Sequence, residues 1–84
     1  MLTTGNQLRA ARAIVDMDQA TLAGRSGISA NTISTMEKKG AAVLTSGYDT
    51  IRKLMNVLEE AGVEFLNHGQ PGVRLAKASS TDGN

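Results

Sequence analysis

Apolar residues recur at helical spacing from Leu8 to Leu58, and beyond Gly62 the pattern becomes extended. Leu8, Ala11, Ile14 and Val15 stand at i, i+3, i+6 and i+7, the stripe of a helix with one buried face. That helix starts at a Thr3 or Thr4 cap and runs to about Val15. Asp16, Met17 and Asp18 break the stripe. Asp18 suits an N-cap, because its carboxylate accepts from the free N–H groups at a helix start, where the helix dipole favours negative charge. The second helix covers about Gln19 to Ser26, with Leu22 and Ala23 inward. Gly27 closes it, since glycine enters the left-handed conformation at little steric cost. Ile28 is apolar, and Ser29 caps a third helix over about Ala30 to Lys38. Ile33, Met36 and Glu37 share one face of this helix, and Ala30, Asn31, Ser34, Thr35 and Lys38 share the other.

Gly40 ends the helical pattern, so Lys39 to Thr45 reads as a loop. Ser46 and Asp49, three apart, resemble a capping box opening a fourth helix. Ile51, Leu54, Met55 and Leu58 form its stripe, with Val57 at the margin and Gly62 as the stop; Arg52, Lys53, Glu59 and Glu60 face solvent. Val63–Leu66 and Val73–Leu75 then flank Asn67–Gly72, a stretch of Asn, Gly and Pro turn formers, and predict a two-strand hairpin. His68 lies in that turn. A lone hairpin is marginal in water, so this one must pack on the helices or join another chain. Residues 77–84, rich in Ser, Thr, Asp and Gly, are expected to be disordered. The pattern divides the chain into a helical domain over 1–62, a hairpin extension over 63–76 and a tail over 77–84. The expected fold class is mostly α.

Composition narrows the chemistry. Eighty-four residues make one small domain, and Tyr48 and Phe65 are the only aromatics, so Leu, Ile, Val, Met and Ala must build a thin core. Burying further surface in a dimer would support such a core. With no cysteine and one histidine, neither a disulfide nor a metal site is expected, and no cofactor is implied. No apolar run approaches the roughly 20 residues that span a bilayer, and Met1–Gly5 is no signal peptide, so no membrane partner is expected and the cytoplasm is the default compartment. Net charge is +1 and decides little. Residues 1–40 carry five Lys/Arg against three Asp/Glu, and residues 41–84 carry four against five, so the positive side lies with the first three helices.

The spacing within Gln19–Lys38 is more specific. Four residues after Gln19 comes the small Ala23, four further Gly27, then apolar Ile28, and Ile33 and Met36 on the buried side of the third helix. Two helices crossing steeply over a short turn need a small residue at their contact and glycine at the bend. On these residues, with the flanking helices from Leu8 to Leu58, the chain resembles the helix-turn-helix family of phage Cro and C1-type repressors, the XRE family. The resemblance implies a four- to five-helix repressor-like DNA-binding domain, here with a small C-terminal β-hairpin. AGVEF followed by GVRL is similar to the strand appendage of short bacterial regulators of the family, which serves dimer formation or hairpin packing.

Site residues follow from the resemblance position by position. Gln19 matches the glutamine that holds a DNA phosphate at a helix N-terminus, a natural anion site; Asp18 beside it departs from the commoner Ser, Thr or Asn. Arg12 and Glu37, each a charge beside an apolar stripe, match a partly buried structural ion pair. The third helix matches the recognition helix, which makes Ala30, Asn31, Ser34 and Thr35 the base-reading candidates. Asparagine pairs with adenine N6 and N7, and Ala or the Thr methyl meets a thymine methyl, so A·T pairs are expected at the centre of each half-site. Thr32, Lys38, Lys39, Thr45 and Ser46 join Gln19 as phosphate candidates, by charge and by place at helix ends; Arg9 and Arg25 are weaker ones.

The expectation is therefore a sequence-specific DNA-binding transcriptional regulator, a repressor working as a homodimer on a pseudo-palindrome in double-stranded DNA. The alternative is a protein-interaction module, such as an antitoxin holding a toxin-like partner protein. The carboxylates are scattered, the hydroxyls sit at caps or on the third helix, and the histidine has no partner by spacing. No nucleophile–base set can be assembled, and an enzyme is not expected.

Overall fold

The computed structural model describes residues 1–67 and 69–76. His68 and the tail at 77–84 lie outside them. About half of the chain is helical, in α1 (Gly5–Ile14), α2 (Gln19–Ser26), α3 (Ala30–Lys38) and α4 (Tyr48–Glu60), followed by β1 (Val63–Leu66) and β2 (Gly72–Leu75). Four helices are present among the described residues, the lower end of the expected number. None is long and apolar enough to cross a membrane.

Local chemistry sets the ends of the first three helices. Thr4 caps α1, and Gln7 completes the reciprocal box: the Gln7 N–H donates to Thr4 Oγ1 at 3.1 Å and the Thr4 N–H to Gln7 Oε1 at 3.4 Å. Asp18 caps α2 through the Thr21 N–H at 2.7 Å, and Gly27 closes it with φ at 78°. The Ser29 hydroxyl accepts from the Thr32 N–H at 3.1 Å and starts α3.

Two expectations are corrected. Helix α4 is capped by Gly47, without a side-chain bond, so Ser46 and Asp49 form no capping box. Ser46 stands one residue too early, outside the helix, and Asp49 acts only as a first-turn carboxylate on the dipole. Ile14, expected in the buried stripe of α1, is 38% exposed. It is the last helical residue; Asp16 then turns the chain through a positive φ of 54°, and Met17 takes a buried position beyond it.

The buried core consists of Leu, Ile, Val, Met and Ala. Leu8, Leu22, Ile33, Leu54 and Leu58 are its fully enclosed large side chains, one or two from each helix, each contributing about 1.5–3 kcal/mol of transfer free energy. Helix α2 packs on α3 and α4, and α1 on α3. The hairpin is antiparallel, pairing Val63 with Leu75 and Leu66 with Gly72, and it lies against α1 and α4. Val63 is buried, and Phe65 and Val73 pack on the core from the same face of the sheet.

Residues before α1 are part of this fold. Leu2 is buried, the Leu44 N–H donates to Thr3 O at 2.7 Å, and Thr4 bridges Val43. The start of α1 meets the end of α3 backbone to backbone. The Asn6 N–H donates to Gly40 O at 2.9 Å, and a Cβ at Gly5 would collide with Met36 O and come within 3.0 Å of Glu37 O.

Candidate nucleic-acid interface

The α2–turn–α3 unit presents a sharply divided α3. Ile33, Met36 and Glu37 are buried against α1 and α2, while Ala30, Asn31, Thr32, Thr35 and Lys38 are exposed and Ser34 is half-buried. The four base-reading candidates therefore share the outward face, which carries only small or polar side chains. Thr32 is partly engaged, since its Oγ1 accepts from the Ser29 hydroxyl at 2.9 Å.

Behind that face lies a charged cluster. Arg12 grips Glu37 with two hydrogen bonds, Nε to Oε2 at 2.6 Å and Nη2 to Oε1 at 2.8 Å. This side-on geometry is the strong form of the pair. A third Arg12 donor, Nη1, reaches Met17 O at 2.9 Å and ties down the turn before α2. Gln19 Nε2 donates to Glu37 Oε1 at 3.1 Å. The expected phosphate-holding amide is thus anchored to the recognition-helix candidate by one N–H, leaving its second N–H as a donor. Arg9, largely exposed, brings its Nε to 4.0 Å from the same oxygen.

Burial by itself would push the Glu37 carboxyl up, but the bonds from Arg12 and Gln19 and the charges of Arg12 and Arg9 outweigh it. Glu37 ends below the usual carboxylate range and stays ionised. Its hydrogen bonds likewise hold the Arg12 guanidinium above its ordinary value. Asp18 is held low by the backbone N–H of Thr21, so its charge is occupied in capping, the condition under which a carboxylate beside a phosphate candidate is tolerable.

The remaining phosphate candidates sit where α3 ends and α4 begins. Lys38, Lys39 and Thr45 are exposed and Ser46 is half-buried. The segment between them is fastened by the Gly40 and Leu44 backbone bonds to residues 3–6. Arg25 is exposed at the end of α2. Among the described residues no three His, Cys, Asp or Glu gather closely enough to hold a metal ion.

Sequence reasoning passed over Gln7, Met17 and Leu2, all buried. A signal for Gln7 was present: Thr-x-x-Gln is capping-box spacing, and it selects Thr4 over Thr3 as the cap. Leu2 and Met17 lie outside any helical period, so no periodic signal marks them. Neither a protein-family model nor a curated protein sequence matches this chain.

Proposed function

We propose that this protein is a sequence-specific DNA-binding transcriptional regulator of the XRE, Cro/C1-type kind, a cytoplasmic repressor acting as a homodimer on a pseudo-palindromic operator. The observation that carries the reading is the two-sided α3. Its outer face of Ala30, Asn31, Ser34 and Thr35 is free of bulky apolar groups, and its inner face is clamped by Ile33, Met36 and the Arg12–Glu37–Gln19 cluster. A helix of this width fits the major groove, where Asn31 reads adenine and the methyls of Ala30 and Thr35 meet thymine. Gln19, anchored on Glu37, turns its remaining N–H to a phosphate, and Thr32, Lys38, Lys39, Thr45 and Ser46 supply further backbone contacts.

Two copies place their α3 helices about 34–36 Å apart, one turn of duplex, so that protein and operator share a two-fold axis. Repression follows from occupying the promoter. With no Arg or Lys in the first two turns of α3, base readout is modest, and phosphate contacts and DNA shape carry much of the affinity.

Selection of bound duplexes from a random pool, followed by anisotropy titration and mass measurement in solution, tests the reading. The expected result is an enriched inverted repeat with A·T pairs in each half-site, bound by two chains. A dimer neutralising about six phosphates loses roughly a thousandfold in affinity between 50 and 200 mM salt. Binding indifferent to salt, or a pool with no enriched sequence, refutes it.

A further inference from the structure

Gln7 is buried, and the DNA-binding reading leaves it without a role. Its side chain joins three parts of the molecule. Nε2 donates to Gly72 O at 2.9 Å and Leu66 O at 3.2 Å, the two carbonyls where β1 ends and β2 begins, and lies within 3.3 Å of Met1 O and 3.5 Å of Asn67 Oδ1. Oε1 accepts from the Thr3 N–H at 2.7 Å and Thr3 Oγ1 at 3.2 Å, besides its bond to the Thr4 N–H. A helix cap needs only the last of these bonds. The others fasten the hairpin and the chain before α1 to one amide.

Thr3 carries the connection onward. Its N–H is held by Gln7, and its carbonyl accepts from the Leu44 N–H at 2.7 Å, so its backbone is pinned from both sides. Leu44 adjoins Thr45 and Ser46. On the same side, the Asn6 N–H holds Gly40 O, next to Lys39, and Gly5 lets α1 touch the last turn of α3. Residues 3–6 therefore form a wedge. One side is set by Gln7 and the hairpin, and the other sets the α3–α4 segment that bears the phosphate candidates.

We propose that Gln7 is a positioning residue for the phosphate-contacting segment Lys39–Ser46, using the C-terminal hairpin as its abutment. The inference rests on the DNA-binding reading for its consequence, but not for its mechanics. The hairpin is then an internal brace on the binding surface. Loss of the Gln7 amide loosens Thr3 and frees Leu44, and phosphate contacts go while the reading face of α3 stays intact.

The test uses the full chain with Gln7→Met, which keeps side-chain length and helix propensity and removes the amide donor and acceptor, leaving only a weakly accepting thioether. Asn67→Ala, at an exposed site whose Nδ2 donates to Thr3 Oγ1 at 3.4 Å, is the milder cut in the same network and serves if the first variant does not fold. Without DNA, amide exchange read by NMR should show faster exchange at Leu44 and Asn6 than in the wild type, with Leu22 and Ile33 unchanged. With a selected duplex, the slope of log K against log salt should fall by about two in a dimer that loses one phosphate contact per protomer. Base preference should be kept. Leu58→Ala is the control, because a cavity that merely destabilises lowers the active fraction and leaves the slope alone. Unchanged Leu44 exchange in folded variants overturns the mechanical link. Faster exchange with an unchanged slope overturns the positioning role. Faster exchange in a chain whose wild type binds no duplex leaves the link standing and refutes the DNA-binding reading.

Discussion

Replacing Glu37 by Ala should be among the most destabilising single changes that alter no apolar side chain. The carboxylate is 3% exposed and its partner Arg12 is 16% exposed, so water neither screens the pair well nor replaces it when broken. Truncation leaves the Arg12 guanidinium with only Met17 O and removes the bond from the Gln19 amide. Breaking a buried pair from one side costs about 3–5 kcal/mol, because the surviving charge remains desolvated. For a domain of this size, total stability is about 4–13 kcal/mol at roughly 0.05–0.15 kcal/mol per residue, so the loss is a large share. At about 4–8 °C per kcal/mol, Tm should fall by at least 12 °C. Arg12→Met alone leaves the buried Glu37 with only the Gln19 amide and the exposed Arg9 and should cost a similar amount. The double variant Arg12→Met/Glu37→Ala removes both charges together and should lose far less than the sum, giving a coupling energy of at least about 2 kcal/mol. Urea and thermal unfolding followed by circular dichroism at pH 7 give all four corners of the cycle. Losses below 1 kcal/mol for either single variant, or additivity in the double, would show that the pair is solvated and that the argument from burial is wrong.

Acid should act through the same group. Glu37 has its carboxyl pKa lowered by folding, so its stabilisation is complete above the ordinary glutamate range, near 4.3, and is lost as pH falls through the lower folded value. Stability below pH 4 should therefore drop less steeply in Glu37→Gln than in the wild type, as measured by urea midpoints from pH 2.5 to 6; equal slopes would assign acid unfolding to other carboxylates. Gly5→Ala should lose about 1–3 kcal/mol by overpacking against the α3 backbone, whereas Gly24→Ala, whose Cβ meets nothing within 4 Å, should gain about 0.5–1 kcal/mol by helix propensity. The reverse order in thermal melts would contradict the close approach of α1 and α3. Asn31→Ala should weaken binding to the selected operator by about 1–3 kcal/mol and relax preference at one A·T pair, while Lys39→Ala should weaken all duplexes alike and lower the salt slope by about one per phosphate. Identical changes for the two variants in anisotropy titrations would argue against separate reading and anchoring roles.

Most helix ends could be read because the decisive bonds are local. Asp18 and Ser29 each reach an N–H three residues on, and Gly27 takes the positive φ that its place required. The start of α4 is not legible because no side-chain capping bond marks it. Ile14 misled for a related reason. A periodic stripe shows which face is buried, not how far along the helix the neighbours extend. Among site residues, the outward set on α3 followed from periodicity, since Ile33, Met36 and Glu37 define its opposite side. The Arg12–Glu37 pair lay 25 residues apart in sequence, and only likeness to a family suggested it.

The sequence by itself determined the local grammar: four helical stripes, the Asp18 and Ser29 caps, the glycine bend, the hairpin and the polar outer face of α3. Apart from the hairpin, whose strands pair residues 6 to 12 apart, these depend on spacings of four residues or fewer, within reach of a single turn of chain. Only the tertiary structure decided what gathers behind that face. Gln19, Arg12 and Glu37 meet there from three helices, and Gln7 joins carbonyls 59 and 65 residues away. A buried polar side chain has partners dictated by packing rather than by period, and its cost unsatisfied is what makes those partners necessary. The polar outer face is a property of one helix; its placement belongs to the whole chain.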